Sequence, residues 1–110
     1  MAYDEGLAQR IRDILEPEFP ELVEKKMFGG IAFMLQGNFA CGLTKEDFVV
    51  RVGKENDQAA LARPYTRRMD FTGKAMAGWV YVSEEGVESD EELTGWVRQG
   101  VNYALSLPPK

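Results

Sequence analysis

The chain has 110 residues, 45% of them apolar and 28% charged, a balance that supports one packed core and argues against wholesale disorder. Its net charge of −5 argues against sequence-independent binding to phosphate backbones. It contains no histidine, which removes the commonest general base, the commonest zinc ligand and every Ser-His or Cys-His dyad. A lone cysteine, Cys41, forbids an internal disulfide and fits a reducing, cytoplasmic setting. No apolar run is long enough to span a bilayer, and the acidic, amphipathic N-terminus is unlike a signal or transit peptide.

In chain order, residues 4–15 predict an amphipathic helix. Leu7, Ile11, Ile14 and Leu15 fall on one stripe, Asp4 is placed to cap the free amides of the first turn, and Pro17 stops the helix. Pro20 keeps the connection irregular, with Phe19 and Leu22 expected to tuck under a sheet edge. A long apolar strand is expected next, centred on Lys25 to Leu35. Met27, Gly29, Ile31, Phe33 and Leu35 face one way, and Phe28, Gly30, Ala32 and Met34 the other. Both faces are apolar, so both need cover, one from helices and the other from a partner subunit or a helix folding across. Gly29-Gly30 marks a bulge, a sharp twist or close backbone approach; a phosphate-cradling loop would need a helix after it, and a strand follows instead.

Gly37-Asn38 predicts a tight hairpin turn into a return strand, residues 39–44, with Phe39, Cys41 and Leu43 on one side. A third strand, residues 48–52, alternates Phe48, Val50 and Val52 against Val49 and Arg51. Residues 54–62 predict a short helix stopped by Pro64, and residues 67–71 a fourth strand. A turn at Thr72-Gly73-Lys74 leads to a fifth strand, residues 76–83, with Trp79 and Tyr81 opposite Val80 and Val82. The final helix opens with a Ser89/Glu92 capping box, runs an apolar stripe from Leu93 through Leu105, and ends at Pro108-Pro109. The order is α-βββ-α-ββ-α, with the first three strands forming an antiparallel meander. No repeat, low-complexity segment or long linker divides it, so one domain over residues 1–110 is expected.

The combination Lys25-Lys26-Met27-Phe28-Gly29-Gly30, Gly37-Asn38, Met69-Asp70-Phe71-Thr72-Gly73 and Met76-x-Gly78-Trp79-Val80 resembles the TfoX N-terminal domain family, and the two ends of the chain look like its stand-alone members. The resemblance implies a two-layer α+β fold similar to secretion chaperones, with three helices on one face of a five-stranded antiparallel sheet, which agrees with the order read from the pattern. It also implies a link to regulators of natural competence, whose two-domain members act at promoters with the cyclic-AMP receptor protein and add a C-terminal helical domain. These 110 residues contain no counterpart of that second domain, and the resemblance carries over no catalytic residue set.

The remaining chemistry is sparse. Cys41, inside an apolar strand, reads as a buried structural thiol. The carboxylates at 84–85 and 90–92 suit a loop and a helix first turn, and they lack the alternating spacing of a calcium loop. No catalytic, cofactor-binding or metal-ligating residue is assigned, and a non-enzymatic regulatory domain working through protein contacts is the expectation. Phe28, Gly29, Gly30, Met34, Trp79 and Tyr81 are the candidate interaction surface, with a homodimer as one form of partner. The first alternative is a small nucleic-acid-associated protein using a patch of Arg51, Arg67, Arg68 and Lys74, residues whose plainer reading is as solvated strand-edge charges. The second is a ligand-binding domain or enzyme with a pocket near Gly29-Gly30.

Overall fold

Asp4 starts the first helix as its side chain predicts: in the computed structural model its carboxylate accepts from the Leu7 amide at 3.0 Å, and α1 runs Glu5–Leu15. The structure describes residues 3–27, 29–71 and 74–109, with side chains described except at 71, 74 and 75. Phe28 and the turn at Thr72-Gly73 therefore lie outside the described residues, as does the side chain of Lys74. Ala8, Ile11 and Leu15 of α1 are buried, with Leu7, Ile14, Phe19 and Leu22 packed against the same core.

The sheet has six antiparallel strands in the order β1-β2-β3-β4-β6-β5, rather than the expected five. The difference lies in the Lys25 to Leu35 run, which is two strands. β1 (Val23–Met27) and β2 (Gly30–Leu35) fold back on each other around Gly29, whose φ of 72° breaks the extended path. Gly30 then passes so close to β3 that an added Cβ would lie 1.8 Å from the Leu43 carbonyl oxygen. A strand as polar as β1 is tolerated because it is an edge: Glu24 turns to Arg12 of α1, and Lys25 and Lys26 are exposed.

β2 returns into β3 (Asn38–Leu43) through Gln36-Gly37, both at positive φ (54° and 82°), the signature of a type I′ turn. The turn thus sits one residue earlier than expected. Asn38 is a buried strand residue whose side-chain amide donates to the Pro108 carbonyl at 3.0 Å and ties down the C-terminal segment. The β2–β3 register jumps from Phe33↔Cys41 to Met34↔Phe39, leaving Ala40 unopposed in a β-bulge. Phe39 and Cys41 consequently face opposite sides, correcting the expected alternation. The bulge is where the last helix presses closest: a Cβ on Gly100 would come within 2.2 Å of the Ala40 carbonyl oxygen.

β4 (Phe48–Arg51) follows its predicted alternation, and a 3-10 turn (Lys54–Asn56) leads into α2 (Asp57–Leu61). β5 (Thr66–Phe71) and β6 (Lys74–Val82) pair at Arg68↔Val80 and then at Asp70↔Ala75, so β6 carries extra residues around Gly78. α3 (Asp90–Ser106) begins with Ser89 Oγ accepting from the Glu92 amide at 3.1 Å. The Glu92 carboxylate does not close the capping box; it pairs with Arg63, which also stacks on the buried Trp96 ring at 3.7 Å. Leu93, Trp96, Val97, Val101 and Ala104 are buried along α3, whereas Leu105 is 41% exposed and falls off the expected stripe.

All three helices contribute to one core, joined by the inward side chains Ile31, Phe33, Leu35, Val50, Val80 and Val82. Among the described residues no helix is long and apolar enough to cross a membrane.

Candidate functional site

The face of the sheet turned away from the helices carries a second apolar cluster. Ala32, Phe39, Val49 and Met69 are buried there, and no helical residue takes part. The expected cover from a folded-over helix is absent among the described residues. Long side chains from neighbouring strands lie over the small ones instead, with Met27, Met34, Met76, Trp79 and Tyr81 half-buried on top. All four methionines after Met1 belong to this cluster. Trp79 packs on Phe39 with ring centroids 4.7 Å apart, tilted by 42°. Val23, 55% exposed, pairs with Met34 in the ladder and extends the apolar surface to the β1 edge.

Of the residues named in advance as a surface, Met34, Trp79 and Tyr81 are brought together by this cluster. Gly29 is exposed in the β1–β2 turn, and Gly30 is buried against β3. None of the described cavities named below is lined by either glycine.

The arginines separate by face and by partner. Arg67 lies over the Tyr81 ring at 4.6 Å and forms a two-pronged pair with Asp47, at 2.7 and 3.1 Å, on the helix-free side. That pair raises the Arg67 pKa above its ordinary value, the hydrogen bond to Asp47 being the main cause. Arg68, one residue on, turns to the helix side and binds the Asp57 carboxylate at the start of α2. Arg51 does neither. Its guanidinium sits over both the Trp79 and Tyr103 rings, at 5.0 and 5.1 Å.

Arg51 lines a cavity of about 670 Å³ between the end of β4, the Gly78 segment of β6 and the C-terminal half of α3. Two smaller clefts, of about 280 and 270 Å³, lie near Asp4 and Glu84. The floor of the larger one is backbone. Gly53 and Gly78 (φ 87° and 86°) meet so closely that a Cβ on Gly78 would lie 2.8 Å from the Gly53 carbonyl carbon, and one on Gly53 would strike the Tyr103 ring at 2.5 Å. Gln99, Asn102 and Ser106 form its polar wall, one face of α3 at helical spacing. Sequence reading missed this site because its walls come from three separated segments. The polar stripe 99-102-106 beside glycines at 53 and 78 was the only available signal.

Cys41 is fully buried, and burial pushes its thiol up to about 12, which favours the protonated form at neutral pH. The acidic segment after β6 forms a 3-10 turn (Glu84–Val87) and the start of α3; no group of three or more metal-ligating side chains gathers there or elsewhere among the described residues.

Set against known proteins, residues 13–104 match the TfoX N-terminal domain. No curated protein and no solved structure matches the chain.

Proposed function

The chain belongs to the TfoX N-terminal domain family, and on that premise we propose that it is a non-enzymatic regulatory domain that works by protein contact through the helix-free face of its sheet. One observation carries this reading: a second apolar cluster, rich in methionine and topped by half-buried Trp79 and Tyr81, on the face to which no helix contributes. Methionine side chains are unbranched and polarisable, so a surface made of them adapts to a partner's shape. Aromatic residues with one polar end supply the area and directionality found at contact centres. The two-layer arrangement, with helices confined to the other face, is the feature that supports a secretion-chaperone-like architecture.

The nucleic-acid alternative has less to stand on. Within the proposed patch, Arg67 and Arg68 already pair with Asp47 and Asp57 and turn to opposite faces of the sheet, so the patch is divided and partly neutralised.

Met34→Glu places a charge in the patch at a half-buried position. The variant is expected to melt close to the parent yet lose whatever partner the parent retains from a native cell extract. If parent and variant retain the same proteins, the face is not the contact surface. Light scattering at high concentration tests self-association: a strict monomer removes the homodimer and leaves a different protein as the partner.

A further inference from the structure

We infer that the cavity beside Arg51 is a binding site for a small organic acid carrying one carboxylate, with an amide or similarly polar body.

The argument starts from the arginines. Arg10, Arg12, Arg63, Arg67, Arg68 and Arg98 each have a carboxylate within 3.2 Å. Among the described residues Arg51 has none, although the protein carries 18 carboxylate side chains. Nor is Arg51 a loose surface cation. It is half-buried, and two rings from different elements, Trp79 of β6 and Tyr103 of α3, hold its guanidinium. A guanidinium engages a ring through its face, and its in-plane N–H donors stay available to other partners. An in-plane donor pair matches the two oxygens of a carboxylate. Arg51 itself lines a half-open cavity of about 670 Å³, within the size range of small-ligand sites.

The lining narrows the class. Among the described residues Lys54 is the only other cation lining the cavity, and Glu55 lines it too. Two cations, one neighbouring carboxylate and a net charge of −5 favour a single negative charge over a phosphate dianion. Gln99 and Asn102, whose side-chain amides make no hydrogen bond among the described residues, offer both donors and acceptors to the rest of the molecule. Gly53 and Gly78 also line the cavity, and the space their side chains would take is filled by the Tyr103 ring and the Gly53-Lys54 backbone, which fixes the shape of the floor.

The test uses N-acetylglycine, which has one carboxylate and one amide, against N-acetylglycinamide, which lacks the charge, and inorganic phosphate, all at constant ionic strength. Titration of the isotope-labelled full chain is followed by NMR. N-acetylglycine is expected to move the backbone amides of Gly53 and Gly78 and the side-chain amides of Gln99 and Asn102 saturably, while the other two probes do not. Arg51→Lys keeps the charge but loses the fork and the stack. It is expected to weaken binding about tenfold in a variant that remains folded, its NMR spectrum away from the cavity matching the parent's. No saturable shift with N-acetylglycine, equal binding of N-acetylglycinamide, tighter binding of phosphate, or undiminished affinity in Arg51→Lys would each overturn the assignment.

Discussion

Gly100→Ala is expected to destabilise the protein, whereas Gly95→Ala, in the same helix, is expected to stabilise it. Both glycines are interior residues of α3, where alanine is intrinsically the better helix former by about 0.5–1 kcal/mol. At Gly95 nothing lies within 4 Å of an added Cβ, so that preference is realised in full. At Gly100 the same methyl would sit 2.2 Å from the Ala40 carbonyl oxygen, 3.0 Å from its carbon and 3.1 Å from a Val50 methyl. Backbone atoms in a paired strand cannot swing aside as a side-chain tip does. α3 must lift from the sheet and loosen Val97, Val101 and Ala104, and overpacking of this kind costs about 1–3 kcal/mol. In a domain of this size each kcal/mol moves the melting midpoint by about 4–8 °C, so the two variants should differ by ten degrees or so. Denaturant midpoints that shift in the same direction for both would show that α3 does not rest on the β3 bulge through Gly100.

That contact also explains where sequence reading stops. Alternation placed the faces of β4 and β6, with Val80 and Val82 inward and Trp79 and Tyr81 outward, because each strand's pattern is local. The caps at Asp4 and Ser89 were legible for the same reason. The flip of Phe39 relative to Cys41 was not, since the bulge at Ala40 answers to a glycine in the last helix. β1 escaped notice because it is an edge strand: Glu24 serves Arg12 and the two lysines face water, so no apolar alternation exists to read. The double apolar face of β2 was visible, but its cover was not. The thioethers and rings that lie over Ala32 and Val49 come from β1, β2 and β6. Likewise the charges of Arg67 and Arg68 are adjacent in sequence, yet the strand pleat sends one to Asp47 and the other to Asp57. Arg51 stands out only after every other arginine has been assigned its partner.

Asp57 joins these elements, and its removal should be the other large effect. It begins α2 and is buried, with one carboxylate oxygen accepting from the Gly78 amide at 2.9 Å and the other bound by Arg68. A single side chain thereby links α2 to β5 and to the irregular stretch of β6. Asp57→Ala leaves the buried Gly78 N–H without an acceptor and Arg68 without a counter-charge. Because Arg68 is 42% exposed and can turn to water, the loss should fall near 2–3 kcal/mol rather than at the upper end for buried pairs. The hydrogen bond from Arg68, then that from Gly78, holds the Asp57 carboxyl below its ordinary value of 3.8. A depressed folded-state value means that the stabilisation is complete above the unfolded value and is lost as pH falls through the folded one. The parent should therefore weaken steadily from about pH 4 downward, and Asp57→Asn, which has no proton to gain there, should show a shallower acid limb. Glu18, also held low by Arg98 but at the surface, adds an acid dependence of its own that keeps the variant's curve from being flat. Parallel stability curves for parent and Asp57→Asn across that range would remove Asp57 as the acid-sensitive link. Because Gly78 packs on Gly53 at the floor of the Arg51 cavity, loosening Asp57 should also disturb that floor, and the amide resonances of Gly53 and Gly78 are where the change should appear first.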